Sequence, residues 1–175
     1  MFFAGWAVAA TFLPRLADLY GRKKIYICSL VTQFIFYLGI ILSRDIKLTT
    51  AFNFFMGMAS VGRASISYLY AMELIPKSKQ PLIGTTTQIF NSFVTLFSVV
   101  FFYYISKQWQ YFELIGLTLN GITVLGVLFL PESPKYLLTM KRYDDLREAF
   151  SVISRFNKKG DKFNGFFERE LESHQ

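Results

Sequence analysis

The stretch 25–42, IYICSLVTQFIFYLGIIL, carries no charged residue along its whole length. A helix rises about 1.5 Å per residue and the hydrocarbon core of a bilayer is about 30 Å thick, so about 20 apolar residues cross it. Backbone polar groups in lipid must be satisfied within their own segment, which makes such a run a helix and not an open strand. Three further runs meet the same requirement: 48–72, interrupted only by Arg63, and 81–106 and 114–130, both uncharged. Ahead of them, 1–13 is apolar but short and begins abruptly, and it reads as a partial helix with its first turns missing. The fold class expected is therefore an all-α membrane protein.

The composition around these runs agrees. Hydrophobic residues make up 53% of the 175 and aromatic ones 18%, more than a soluble domain of this size carries. The net charge of +7 raises the question of nucleic acid, but the Lys and Arg residues lie between uncharged runs instead of forming one basic face. The expected partner is the lipid bilayer, with no nucleic acid, and the expected location is integral and multi-pass in a membrane the residues do not name. Residues 1–10 lack the basic leader and cleavage site of a removable signal peptide. Cys28, the single cysteine, lies in an apolar run and reads as a small packing residue. His174 has no Cys or His companion, and no Ser-His-Asp set, metal cluster or phosphate loop occurs, so neither an enzyme nor a cofactor is expected.

Charge in the connections gives orientation. Arg15, Arg22, Lys23 and Lys24 follow the first run, and Lys77 and Lys79 follow 48–72, which puts those connections on the cytoplasmic side. The alternate connections carry little positive excess, since Asp45 offsets Arg44 and Lys47. The same alternation makes everything after Pro131 cytoplasmic. There Leu146, Ala149, Phe150, Ile153 and Phe156 recur at helical spacing with Asp144 placed to cap the start, which predicts a short amphipathic helix within 132–157. The remainder, 158–175, reads as a polar tail in which Phe163, Phe166 and Phe167 are the aromatic exceptions.

Three motifs sit at the cytoplasmic ends of the runs. The first is Pro14-Arg15-Leu16-Ala17-Asp18-Leu19-Tyr20-Gly21-Arg22-Lys23-Lys24, a tight charged turn in which Gly21 permits a left-handed backbone and Asp18 can pair with a nearby cation. The second is Glu73-Leu74-Ile75-Pro76-Lys77. The third is Pro131-Glu132-Ser133-Pro134-Lys135-Tyr136-Leu137-Leu138, where Pro131 ends a span, Ser133 can cap a new helix and Pro134 suits its first turn. Together they resemble the major facilitator superfamily. Asp18, Gly21, Arg22 and Lys23 match the signature between its second and third helices, with Pro14 where the signature has its first Gly. The other two motifs are similar to the Glu-x-x-Pro and Pro-Glu-Ser-Pro-Arg segments that follow the fourth and sixth helices of sugar porters and organic ion transporters. Arg142, Asp144, Asp145, Ala149 and Asn157 fall where those relatives place an intracellular helix.

The resemblance implies part of a six-helix half of a major facilitator bundle, helices two to six with a cytoplasmic amphipathic helix. It also implies that Asp18, Gly21, Arg22, Lys23, Glu73 and Glu132 belong to a cytoplasmic charge network that gates alternating access. The Arg that the family places at the start of its fourth helix is Asn53 here.

Two features point to a solute path. Arg63 is the sole charge deep in a run, and an intramembrane cation is expensive unless paired or hydrated. Gly84, Gln88, Asn91, Thr95 and Ser98 share one helical face, which can line a cavity or hold helices together by hydrogen bonds. Arg63, Gln88, Asn91 and Thr95 are the cavity candidates. The faces Gly57, Ser60, Ala64, Ser67 and Gly116, Asn120, Thr123 read as close helix packing. The expected function is transport of a small solute, an organic ion or a sugar, by alternating access in an incomplete transporter. Its partners would be the solute and the missing transporter half or other membrane subunits. The alternative is a non-transporting remnant serving as a structural or accessory subunit of a larger membrane assembly.

Overall fold

The computed structural model describes residues 1–75, 79–105 and 107–157, the side chains of 154–157 excepted. The expectations for Pro76, Lys77, Ser106, the side chain of Phe156 and the tail 158–175 with His174 lie outside the described residues. Every regular element among the described ones is helical: α1 (Phe2–Tyr20), α2 (Arg22–Leu42), α3 (Ile46–Val61), α4 (Ser67–Leu74), α5 (Gln80–Val100), α6 (Trp109–Leu128), α7 (Pro134–Thr139) and α8 (Tyr143–Asn157). A π-turn, Gly62–Ile66, joins α3 to α4 as one rod, and a second, Phe101–Ile105, extends α5.

The helices outrun the apolar runs that announced them. The 1–13 run is not a partial helix that stops at Leu13: α1 continues through Pro14 to Tyr20, because a charge ends an apolar run without ending a helix. Likewise α2 starts at Arg22 and α6 at Trp109, inside charged or polar sequence, and α6 closes at Leu128. Among the described residues, three helices are long and apolar enough to cross a membrane: Arg22–Leu42, Gln80–Ile105 and Trp109–Leu128. The α3–α4 rod, expected as a fourth, falls short in apolarity because Arg63, Asn53 and a series of Ser and Thr dilute it.

Close approach of backbones organises the N-terminal part. A methyl group on Gly57 would meet the Phe2 carbonyl oxygen at 2.0 Å, and one on Gly5 would meet that of Phe54 at 2.0 Å. Thus α1 and α3 cross with a glycine on each side of the contact, the small-residue packing that serves helices in lipid. On the other face of α3, Phe36 of α2 stacks on Phe55 with ring centroids 5.1 Å apart, and Phe52 lies against Gly39. Gly62 receives Ser29 of α2 so closely that a methyl there would lie 1.8 Å from the hydroxyl. In turn α6 lies against α2, with Phe34 and Tyr37 facing Gly121 and Gly116.

The π-turn splits one expected face. Gly57 and Ser60 are buried in packing as anticipated, but Ala64 is exposed and Ser67 half-buried. A π-turn holds an extra residue per turn, so the i+3/i+4 row that begins at Gly57 leaves the packed side beyond Val61. Cys28 is exposed on α2, not packed, because α3 and the π-turn cover the opposite side that holds Ser29, Leu30 and Gln33.

Past α6, Ser133 caps α7 by accepting from the Tyr136 N–H at 3.3 Å, with Pro134 in the first turn. Asp144 is not the N-cap of α8: the Leu146 N–H bonds the Arg142 carbonyl at 3.1 Å, so the helix starts earlier and Asp144 and Asp145 both lie in its first turn. There they favour the positive helix end. Leu146 and Ala149 are buried with Leu137 of α7, flanked by Tyr136, Tyr143 and Phe150.

Candidate functional site

The three motifs, distant in sequence, meet at one end of the bundle. Gly21 separates α1 from α2 with φ 108° and ψ 143°, a backbone that L side chains rarely adopt. Being glycine, it offers α2 no side-chain cap, and the first turn of α2 carries Arg22, Lys23 and Lys24 at the positive end of the helix dipole. Glu132 relieves both defects. One of its carboxylate oxygens accepts the Lys23 N–H at 2.8 Å and the Ser133 N–H at 3.0 Å. The other would lie 2.6 Å from a methyl on Gly21, so the glycine is required by space as well as by φ.

Arg22 occupies the centre. Its Nη2 lies 3.0 Å from Asp18 and its Nε 2.7 Å from Glu73. The Arg22 and Glu73 side chains are only 12% and 6% exposed, whereas Asp18 is 62% exposed, so the pair that crosses from α2 to α4 dominates. The contact to Glu73 is an ion pair without hydrogen-bond alignment, and Arg22 Nη1 and one Glu73 oxygen make no hydrogen bond. Ser133 compensates: fully buried, it donates its hydroxyl to Glu73 at 2.6 Å while capping α7. Lys135 adds a looser contact to Glu73 at 3.8 Å.

Neighbouring helix ends are tied at the same place. Lys23 Nζ donates to the Leu128 carbonyl at the end of α6 at 3.0 Å, and the Tyr136 hydroxyl donates to the Leu19 carbonyl near the end of α1 at 3.1 Å. The Tyr70 hydroxyl of α4 donates to the Pro131 carbonyl. All six residues expected in the charge network, Asp18, Gly21, Arg22, Lys23, Glu73 and Glu132, therefore converge. Ser133 and the hydroxyls of Tyr70 and Tyr136 join them, and sequence reasoning missed these partners because their targets lie 60 or more residues away. Asn53 stands apart, with its amide turned back to the Thr49 carbonyl at 2.9 Å.

Beside this cluster, α4 and α5 border an open cavity of about 1060 Å³ that reaches the ends of α2 and α6. Arg63, Gln88 and Asn91 line it, together with Tyr26, Tyr68 and Ser67. Arg63 enters from the π-turn, which is packed against α2 through Gly62 and Ser29. Thr95 lies beyond the lining, its hydroxyl turned to the Asn91 carbonyl at 3.1 Å. The polar face of α5 is unburied along its length; Gly84 brings it close to α4, where a methyl would stand 3.2 Å from the Tyr68 hydroxyl. The aromatic hydroxyls of the lining went unread because Tyr at a helix end serves equally as a membrane-interface anchor.

The model of a family described as sugar (and other) transporter matches residues 1–173. The organic cation transporter-like protein of Drosophila melanogaster is 28% identical over 159 residues, 90% of this chain and 28% of that protein. The organic cation/carnitine transporter 2 of Homo sapiens is 24% identical over 159 residues, 90% of this chain and 28% of its own length. The D-xylose transporter of Levilactobacillus brevis is 24% identical over 169 residues, 86% of this chain and 36% of its own length. This chain thus spans well under half of the relatives it matches. With helices built to cross a bilayer and a match over nearly every residue, the chain is an integral, multi-pass membrane protein and belongs to the sugar (and other) transporter family of the major facilitator superfamily.

Proposed function

We propose that this chain contributes to the transport of a small solute, an organic ion or a sugar, by alternating access, with Arg22 and Glu73 as the centre of a cytoplasmic gate. The observation that carries the reading is the buried Arg22–Glu73 pair, which links the start of α2, the end of α4 and the cap of α7 next to a polar cavity. Buried ion pairs are poor sources of stability, since desolvation offsets most of the attraction. Their suitability for two-state devices is a different matter: a pair closed in one state and hydrated in the other changes its energy with the conformation. Around this centre, Glu132 and Lys23 hold helix ends while Asp18 supplies a solvated second partner to Arg22. Arg63, Gln88 and Asn91 face the solute, and Thr95 lies further along the same face of α5. Domain roles follow: 1–131 embedded, 132–157 a cytoplasmic helical segment, 158–175 a polar tail. The bilayer and the solute are the partners, and the remaining length represented in the relatives would come from further sequence or from other subunits.

The test is uptake into proteoliposomes of labelled D-xylose, carnitine and an organic cation, combined with labelling of Asn91→Cys in a Cys28→Ser background from the Arg22 side. Uptake of one solute, with faster labelling in Glu73→Gln, is expected. Unchanged labelling and unchanged uptake in Glu73→Gln would remove the gate assignment. The alternative reading, an accessory subunit that transports nothing, draws support from Asn53, which leaves the charge cluster without the Arg that the family resemblance implies there. It prevails if no solute enters while the chain remains folded.

A further inference from the structure

Among the described residues, Arg63 is the one charged residue on the lining of the α4–α5 cavity, and no carboxylate lines it. Among the described residues Arg63 forms no ion pair. The carboxylates of the neighbouring helices have other partners: Glu73 pairs with Arg22, Ser133 and Lys135, Glu132 accepts from the Lys23 and Ser133 N–H groups, and Glu113 of α6 accepts from the Tyr37 hydroxyl. A guanidinium without an ion pair, alone in an otherwise uncharged run, is costly beside lipid, and a counter-charge or water must compensate it. The rest of the wall is suited to an aromatic acid. The Gln88 and Asn91 amides provide donors for a carboxylate, and the rings of Tyr26 and Tyr68 provide flat apolar faces. The Arg fork binds a carboxylate through two parallel hydrogen bonds, whereas an organic cation in the same space would meet a fixed like charge.

We propose that this cavity selects small organic anions, aryl carboxylates in particular, through Arg63 on the π-turn and the amides of Gln88 and Asn91. The assignment rests on the transport reading above and adds to it the sign of the solute.

The experiment uses the chain as it is, in lipid nanodiscs, with three probes of one shape: benzoate, benzyl alcohol and benzylammonium, titrated by calorimetry and by saturation-transfer NMR. Benzoate is expected to bind about tenfold more tightly than benzyl alcohol, the factor one charge-assisted hydrogen bond supplies, and benzylammonium more weakly than either. Arg63→Gln should erase the preference for benzoate and leave benzyl alcohol unchanged. Arg63→Lys keeps the charge and loses the fork, so it should keep the order of the three probes with a smaller gap. That variant also serves if Arg63→Gln does not fold. Equal binding of all three probes, or tighter binding of benzylammonium, overturns the anion assignment and leaves the transport reading standing. Failure of the folded wild-type chain to bind any of the three overturns the assignment, and solute uptake in the proteoliposome assay then decides the transport reading on its own.

Discussion

The α1–α2–α3 cluster and α5 are comparable in apolar content and opposite in how they are held. In the cluster, Gly5, Gly57 and Gly62 bring neighbouring chains within reach of backbone atoms and of Ser29. In α5 no residue is buried, and Phe90 and Phe93 are each 64% exposed. Hydrophobicity does not separate the two, because lipid tails are as apolar as Leu or Phe and no hydrophobic force drives helices together inside a bilayer. What separates them is the presence of small residues where two backbones cross. The cluster is a fixed scaffold, and α5 is a wall whose polar face borders the cavity, whose Phe97 stacks on Phe112 of α6 and whose remaining surface is open to lipid or to further protein.

Substitutions should divide along that line. Gly57→Leu should do the most damage, since its first carbon alone would overlap the Phe2 carbonyl; a loss of about 3 kcal/mol or more is expected, read as loss of a folded monodisperse peak in detergent. Gly21→Ala should follow at about 1–3 kcal/mol, because φ 108° strains any L residue and the added methyl displaces Glu132. Chemical unfolding in mixed micelles would measure it, and an unchanged midpoint would contradict the capping role of Glu132. Glu73→Gln should cost about 2 kcal/mol, less than the ~3–5 for stranding a buried charge, because Asp18 still pairs with Arg22 at 3.0 Å. Asp18→Asn, at a side chain 62% exposed, should cost under about 1 kcal/mol. Phe93→Ser on α5 should stay within about 0.5 kcal/mol in detergent, because the side chain is mostly open to its surroundings. A loss at Phe93 as large as at Gly57 would erase the distinction between scaffold and wall.

How much of this was readable in the residues follows the same physics. The runs 25–42, 81–106 and 114–130 announced helices because lipid leaves an apolar segment no other backbone solution. Helix ends were less legible, as α1 shows by crossing Pro14, Arg15 and Asp18 before it stops at Gly21. The charge network was legible in membership, through the three motifs, but not in wiring. Nothing in local spacing says that Ser133 would be the hydroxyl donor to Glu73, or that Glu132 would cap a helix 109 positions earlier. The face Gly57, Ser60, Ala64, Ser67 was half right, because a 3.6-residue period presumes an unbroken α-helix and Gly62–Ile66 is not one. The same turn brings Arg63 to the cavity, which its rank as the lone charge in its run had suggested.

The partnership of Lys23 and Glu132 also bears on the order in which the molecule is made. Synthesis proceeds from the N-terminus, so α2 leaves the ribosome with three basic side chains at an end that has no capping group of its own. Its acceptor arrives only with the segment after α6, more than a hundred residues later. Until then the start of α2 must rely on water and headgroups, and its final seat is set only once the segment after α6 has been translated.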